Sequence, residues 1–136
     1  MTIHPVYAAE TAKAVDQFAR DLATVAEKFG FVIHNETTMD MAHTFGNHGV
    51  EVAEGFDLHM LQICKPEKAA QSLGVNPERA ILMAKYVVTF TQEGRTQIRF
   101  LRLPEEFIRA AVEDAQFPRS LSETYQKIEE MIEEAR

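Results

Sequence analysis

At 136 residues the chain has the length of one ordinary domain, and its 46% apolar and 26% charged residues are a globular composition that excludes a disordered tail, a collagen-like repeat or a disulfide-stapled mini-protein. The longest apolar runs are a few residues, well short of the roughly 20 a membrane span needs. Twenty-one acidic against 14 basic residues give a net charge of −7, a poor match for nucleic-acid phosphate, which is bound through clustered Lys and Arg.

In chain order, residues 3–8 predict a short first strand that Pro5 either places at a sheet edge or makes irregular. Thr11 is positioned to cap a helix over 12–29. There Val15, Phe18, Leu22, Val25 and Phe29 recur at helical spacing, and Gly30 ends the helix. Residues 31–36 predict a strand. Thr38 is expected to cap a short helix carrying Met41, Ala42 and Phe45. Residues 56–64 predict the third strand. Pro66 opens a short helix that Gly74 stops, and Asn76-Pro77-Glu78 repeats the cap-then-proline signal.

Residues 85–91 and 95–103 predict two neighbouring antiparallel strands, because the Glu93-Gly94 turn between them leaves no room for a crossover. Pro104 opens a helix with Phe107, Ile108, Ala111, Val112 and Ala115 on one face, broken at Phe117-Pro118. Ser120-Leu121-Ser122-Glu123 reads as a capping box for a last helix with Leu121, Tyr125, Ile128 and Ile132 as its apolar stripe. The whole chain, 1–136, reads as one α+β domain with helices largely on one face of a sheet. Its acidity is concentrated in the C-terminal helices. Residues 104–136 hold nine acids and four bases, hence −5, and residues 1–103 twelve and ten, hence −2. Solvated helix faces account for this, and a contact surface for a partner is the competing reading.

Several segments resemble the domain-of-unknown-function 302 family of small prokaryotic proteins. They are Phe29-Gly30-Phe31, Cys64-Lys65-Pro66-Glu67-Lys68-Ala69-Ala70, and the stretch from Asn76-Pro77-Glu78 to Val87-Val88-Thr89-Phe90. The family motif Cys-Asn-Pro-Glu-x-Ala has Lys65 in place of its asparagine here. Leu82-Met83-Ala84-Lys85-Tyr86-Val87-Val88 lacks the proline and second cysteine usual before the fourth strand. The resemblance covers about 6–103, with helices 104–136 following. It implies a curved, mostly antiparallel sheet with helices on one side, similar to the TATA-binding-protein arrangement, in a homodimer. It implies no nucleic-acid binding, since a fold does not carry function, and it transfers only Cys64 as a motif residue.

Cys64 is the most informative single residue. Lys65 beside it and the helix starting at Pro66 both favour thiolate over thiol, and a small buried hydrophobe is the competing reading. Four of the five histidines (His34, His43, His48 and His59) fall within residues 34–59, with Met39, Met41 and Met60 among them. Imidazole, thioether and thiolate suit transition metals or haem. The ligand candidates are therefore Met39, His43, His59, Met60, Cys64 and Lys65, with His43, His59 and Cys64 as metal candidates. Strand parity sets His59 on the face opposite Cys64, and no spacing matches a zinc pattern. Gln97 and Arg99 share one strand face and suit an anion, with a solvated sheet face as the competing reading.

These residues predict a non-enzymatic homodimer that binds a small ligand near residues 39–64, with haem or a transition metal as possible cofactor. A thiol-based sulfur carrier or redox protein using Cys64 is the second reading. A structural or interaction protein is the third. A single cysteine cannot form an internal disulfide, and Met1-Thr2-Ile3-His4-Pro5 has no basic, apolar signal character. Both fit a reducing cytoplasm.

Overall fold

A computed structural model describes residues 4–136. Five strands form one sheet: β1 (Val6–Thr11), β2 (Val32–Ile33), β3 (Leu58–Cys64), β4 (Tyr86–Gln92) and β5 (Arg95–Leu101), in the order β1-β5-β4-β3-β2. Every neighbouring pair is antiparallel. The helices are α1 (Val15–Lys28), α2 (Met41–Asn47), α3 (Pro66–Val75), α4 (Glu105–Ala111) and α5 (Phe117–Ala135), with a 3-10 turn at Pro77–Leu82. The α+β class and the antiparallel sheet are as the residues predict. Among the described residues no helix is long and apolar enough to cross a membrane.

Alternation decides which face is covered. Along β3, His59, Leu61 and Ile63 are buried while Leu58, Met60, Gln62 and Cys64 are half-buried. Val87, Ile98 and Phe100 of β4 and β5 face inward in the same way and meet Phe18, Leu22 and Ala26 of α1 and Leu121, Tyr125, Ile128 and Ile132 of α5. The stripes of α1 and α5 read from the sequence are thus the core. On the opposite face Tyr86 and Leu101 stay exposed. Two backbone devices fix the chain's path. Glu93 and Gly94 both have positive φ, +53° and +77°, the two-residue turn whose twist matches an antiparallel hairpin. At the end of α1, Gly30 has φ +80°; its N–H donates to Glu27 O at 3.1 Å and Phe31 N–H to Ala26 O at 2.9 Å, which is a Schellman termination.

Several boundaries differ from the sequence reading, each for a local reason. The first strand runs Val6–Thr11, and Ile3 lies outside the described residues. Thr11 ends that strand rather than capping a helix, and α1 begins behind Ala14 with no side-chain cap. The strand expected over 31–36 stops at Ile33. Beyond it the Asn35 side chain takes over the pairing, donating from Nδ2 to Met60 O (2.9 Å) and accepting the Gln62 N–H at Oδ1 (2.8 Å). Asp40, not Thr38, caps α2, accepting the N–H groups of Ala42 and His43. Helix α3 passes through Gly74 to Val75. Phe117-Pro118 starts α5 instead of breaking α4, since proline suits a first turn and the Asp114 carboxylate accepts the N–H groups of Gln116 and Phe117. Ser120 therefore lies inside the helix, and no capping box forms. Phe107 is exposed, leaving Ile108 and Val112 to bury α4.

Candidate functional site

The strand-to-helix junction after Cys64 opens onto a cavity of about 210 Å³. Its floor is the end of β3 (Gln62 to Lys65) with Phe31 and His34. One wall is a stripe of α3, namely Lys68, Ala69, Ser72 and Leu73. The facing wall is a stripe of α5, namely Phe117, Ser120, Leu121 and Thr124. Met83, Ala84 and Lys85, entering β4, close the end. The spacings 65, 68/69, 72/73 and 117, 120/121, 124 each trace one helix face, so the cavity is what remains where two helices and a sheet end converge.

Three lysines reach this space. Lys65 Nζ lies 5.6 Å from the centroid of the Phe31 ring, within cation–π range. Its stem crosses Gly30, where an added Cβ would stand 3.2 Å from Lys65 Cε. Lys68 Nζ donates to Thr124 Oγ1 at 2.8 Å, bridging the two walls. Burial holds its ammonium below the usual lysine range, with Glu123 opposing that shift and Lys65 adding to it. Lys85 Nζ donates to Met83 O at 2.7 Å. Burial depresses this group too, with the Cys64 sulfur opposing and Lys68 adding. Cys64 is a free, half-buried thiol.

A buried ion pair brackets the cavity from behind. Arg79 Nε and Nη2 donate to Asp114 Oδ2 (2.6 Å) and Oδ1 (3.0 Å), and Nη1 donates to Ser72 Oγ (3.0 Å). Asn76 Nδ2 donates to the same carboxylate at 2.9 Å. Hydrogen bonds from Arg79, then Asn76, then the Phe117 and Gln116 N–H groups hold the Asp114 carboxyl well below the usual carboxylate range against the opposing effect of burial. This fork ties α3, the 3-10 turn and the start of α5 together, and so sets the distance between the cavity walls.

Of the six residues singled out in the sequence, Cys64 and Lys65 lie at this cavity, while Met39, His43, His59 and Met60 lie elsewhere. His43 is exposed on α2. His59 is buried on the helix-covered face of β3, its Nε2 3.8 Å from Asp40 Oδ2; its Nδ1 and the Thr89 Oγ1 on the paired strand have no hydrogen-bond partner among the described residues. Met60 projects from the opposite face. The structure therefore does not gather His43, His59 and Cys64, and among the described residues no group of three or more His, Cys, Asp or Glu side chains is placed to hold a metal ion. Haem does not fit the cavity either. At about 210 Å³ the cavity is little larger than the roughly 150 Å³ space that accommodates benzene, whereas a porphyrin has four linked rings. The sequence reading counted Lys85 among the cations around the hairpin that suit an anion, and did not single out Lys68 or the hydroxyls of Ser72, Ser120 and Thr124. The spacing from Lys65 to Lys68 was a readable signal; the approach of Lys85 depends on the tertiary fold.

The family described as "Domain of unknown function DUF302" matches residues 7–135. A solved structure described as an uncharacterized conserved protein DUF302 from Bacillus stearothermophilus superposes with a TM-score of 0.79. It covers 98% of this chain and 100% of that one at 14% identity, a likeness of fold alone. No curated relative matches the chain.

Proposed function

The chain belongs to the DUF302 family, and from that premise we propose that it is a non-enzymatic binding module for a small molecule, held in the cavity between β3, α3 and α5. One observation carries the reading. The cavity's surface is chiefly apolar, from Phe31, Ile63, Leu73, Met83 and Leu121, and a few polar groups converge on it from separate elements. That is the usual make-up of a ligand site. Saturation-transfer NMR with small aromatic probes tests it. Ala69 faces the cavity from α3, so Ala69→Phe fills the space and is expected to abolish the transfer seen with the unaltered protein. Equal signals from both proteins, or none from either, would refute the reading.

We assign the module to a homodimer in a reducing cytoplasm. The uncovered sheet face, with exposed Val6, Tyr86 and Leu101, supports association, and the one free thiol suits that compartment. The second reading, sulfur chemistry at Cys64, is favoured by one observation, a free, half-buried thiol that lines the same cavity as Lys65, Lys68 and Lys85. Iodoacetamide labelling of the folded protein that slows markedly in Lys85→Met is its test, and an unchanged rate removes it.

A further inference from the structure

Ion pairing across the molecule is uneven. The chain has 14 Lys and Arg residues. Among the described residues ten of them pair with a carboxylate within 4.0 Å, which leaves four: Lys65, Lys68, Lys85 and Arg99. Arg99 lies on the uncovered sheet face, its guanidinium 5.6 Å from the Phe90 ring centroid. The other three all line the one cavity. In a chain with 21 acidic residues, these three neighbouring ammoniums have no carboxylate within 4.0 Å among the described residues. No Asp or Glu among the described residues lines the cavity, and the negative influence on Lys68 is Glu123, acting through space.

We infer that the ligand is a small amphipathic acid: an apolar body of about one aromatic ring's size bearing a carboxylate or phosphate-monoester head. The inference rests on the binding reading above and adds the chemical class. The head is placed against Lys68 and Lys85, whose desolvation an anion offsets, with Lys65 at the rim and the hydroxyls of Ser72 and Ser120 as further donors. The ten-residue helix α3 begins at the same spot with no side-chain cap, so its first-turn N–H groups add positive potential. The body lies against Phe31, Leu73, Met83 and Leu121. At about 210 Å³ the space suits a ring and a head group, not a long chain.

Isothermal titration with phenylacetate, phenyl phosphate and the uncharged phenylacetamide separates charge from shape. At least one of the two anions is expected to bind about tenfold or more tightly than the amide, since hydrogen bonds to a charged partner are the stronger ones. Lys68→Met and Lys85→Met, each checked for folding by circular dichroism, are expected to reduce that preference to within about threefold. An amide that binds as tightly as both acids overturns the inference and leaves the binding reading standing. A preference unchanged in both variants overturns the assignment of the head to these lysines. Failure of all three compounds to bind overturns the binding reading and this inference with it.

Discussion

Lys85 combines burial with charge. Its ammonium is desolvated beside Lys68, and among the described residues its one hydrogen bond is to a backbone carbonyl. A base whose folded value is depressed binds fewer protons folded than unfolded between its folded value and its ordinary value of 10.5. Stability from this residue therefore rises as pH climbs through that window, and a cost is present at neutral pH. Lys85→Met removes the charge and keeps the stem. It is expected to match or exceed the parent protein's urea midpoint at pH 7 and to lose part of the parent's rise toward pH 10. A markedly lower midpoint at pH 7 would mean that the ammonium is stabilising, with a counter-charge the present account lacks. This is the pattern expected where residues are placed for binding at some cost to stability.

Among the elements, the turn ending α1 bears most directly on the cavity. Gly30 is in the left-handed region, and an added Cβ would press on the Lys65 stem at 3.2 Å. Gly30→Ala is expected to cost about 1–2 kcal/mol from backbone conformation alone, read as a lower urea midpoint, and to displace Lys65 from the Phe31 ring. A substitution without cost would show that the turn can adopt another path. This glycine was legible in the sequence, as were the stripes of α1 and α5 and the parity of β3, because local periodicity and the burial requirement agree at those places. The elements that escaped prediction are held by partners distant in sequence. Asn35 ends a strand by pairing with Met60 and Gln62, and Asp114 starts α5 where Ser120 had the better local signature. The site was legible in part. Cys64 and Lys65 stand at a strand-to-helix junction, but the histidine- and methionine-rich stretch is dispersed by strand alternation and by α2. Lys68 and Lys85 meet only when α3 packs beside the start of β4.

For the molecule as a whole, one sheet face is covered by helices and the other is not. Leu101 and Tyr86 lie on the uncovered face, and closed two-fold pairing is the commonest way such a face is buried. Sedimentation is expected to show a dimer at micromolar concentration, and Leu101→Lys, at an exposed side chain of β5, is expected to shift it to monomer. A monomer in the unaltered protein contradicts this assembly. The central claim, that the cavity between β3, α3 and α5 is the binding site, is tested most directly by titrating phenylacetate into the ¹⁵N-labelled protein and mapping the amide shifts. Saturable shifts are expected, confined to residues 31–34, 62–73, 83–85 and 117–124 and absent in Ala69→Phe. Shifts that fall instead on the uncovered face, around Val88, Arg99 and Leu101, would contradict it.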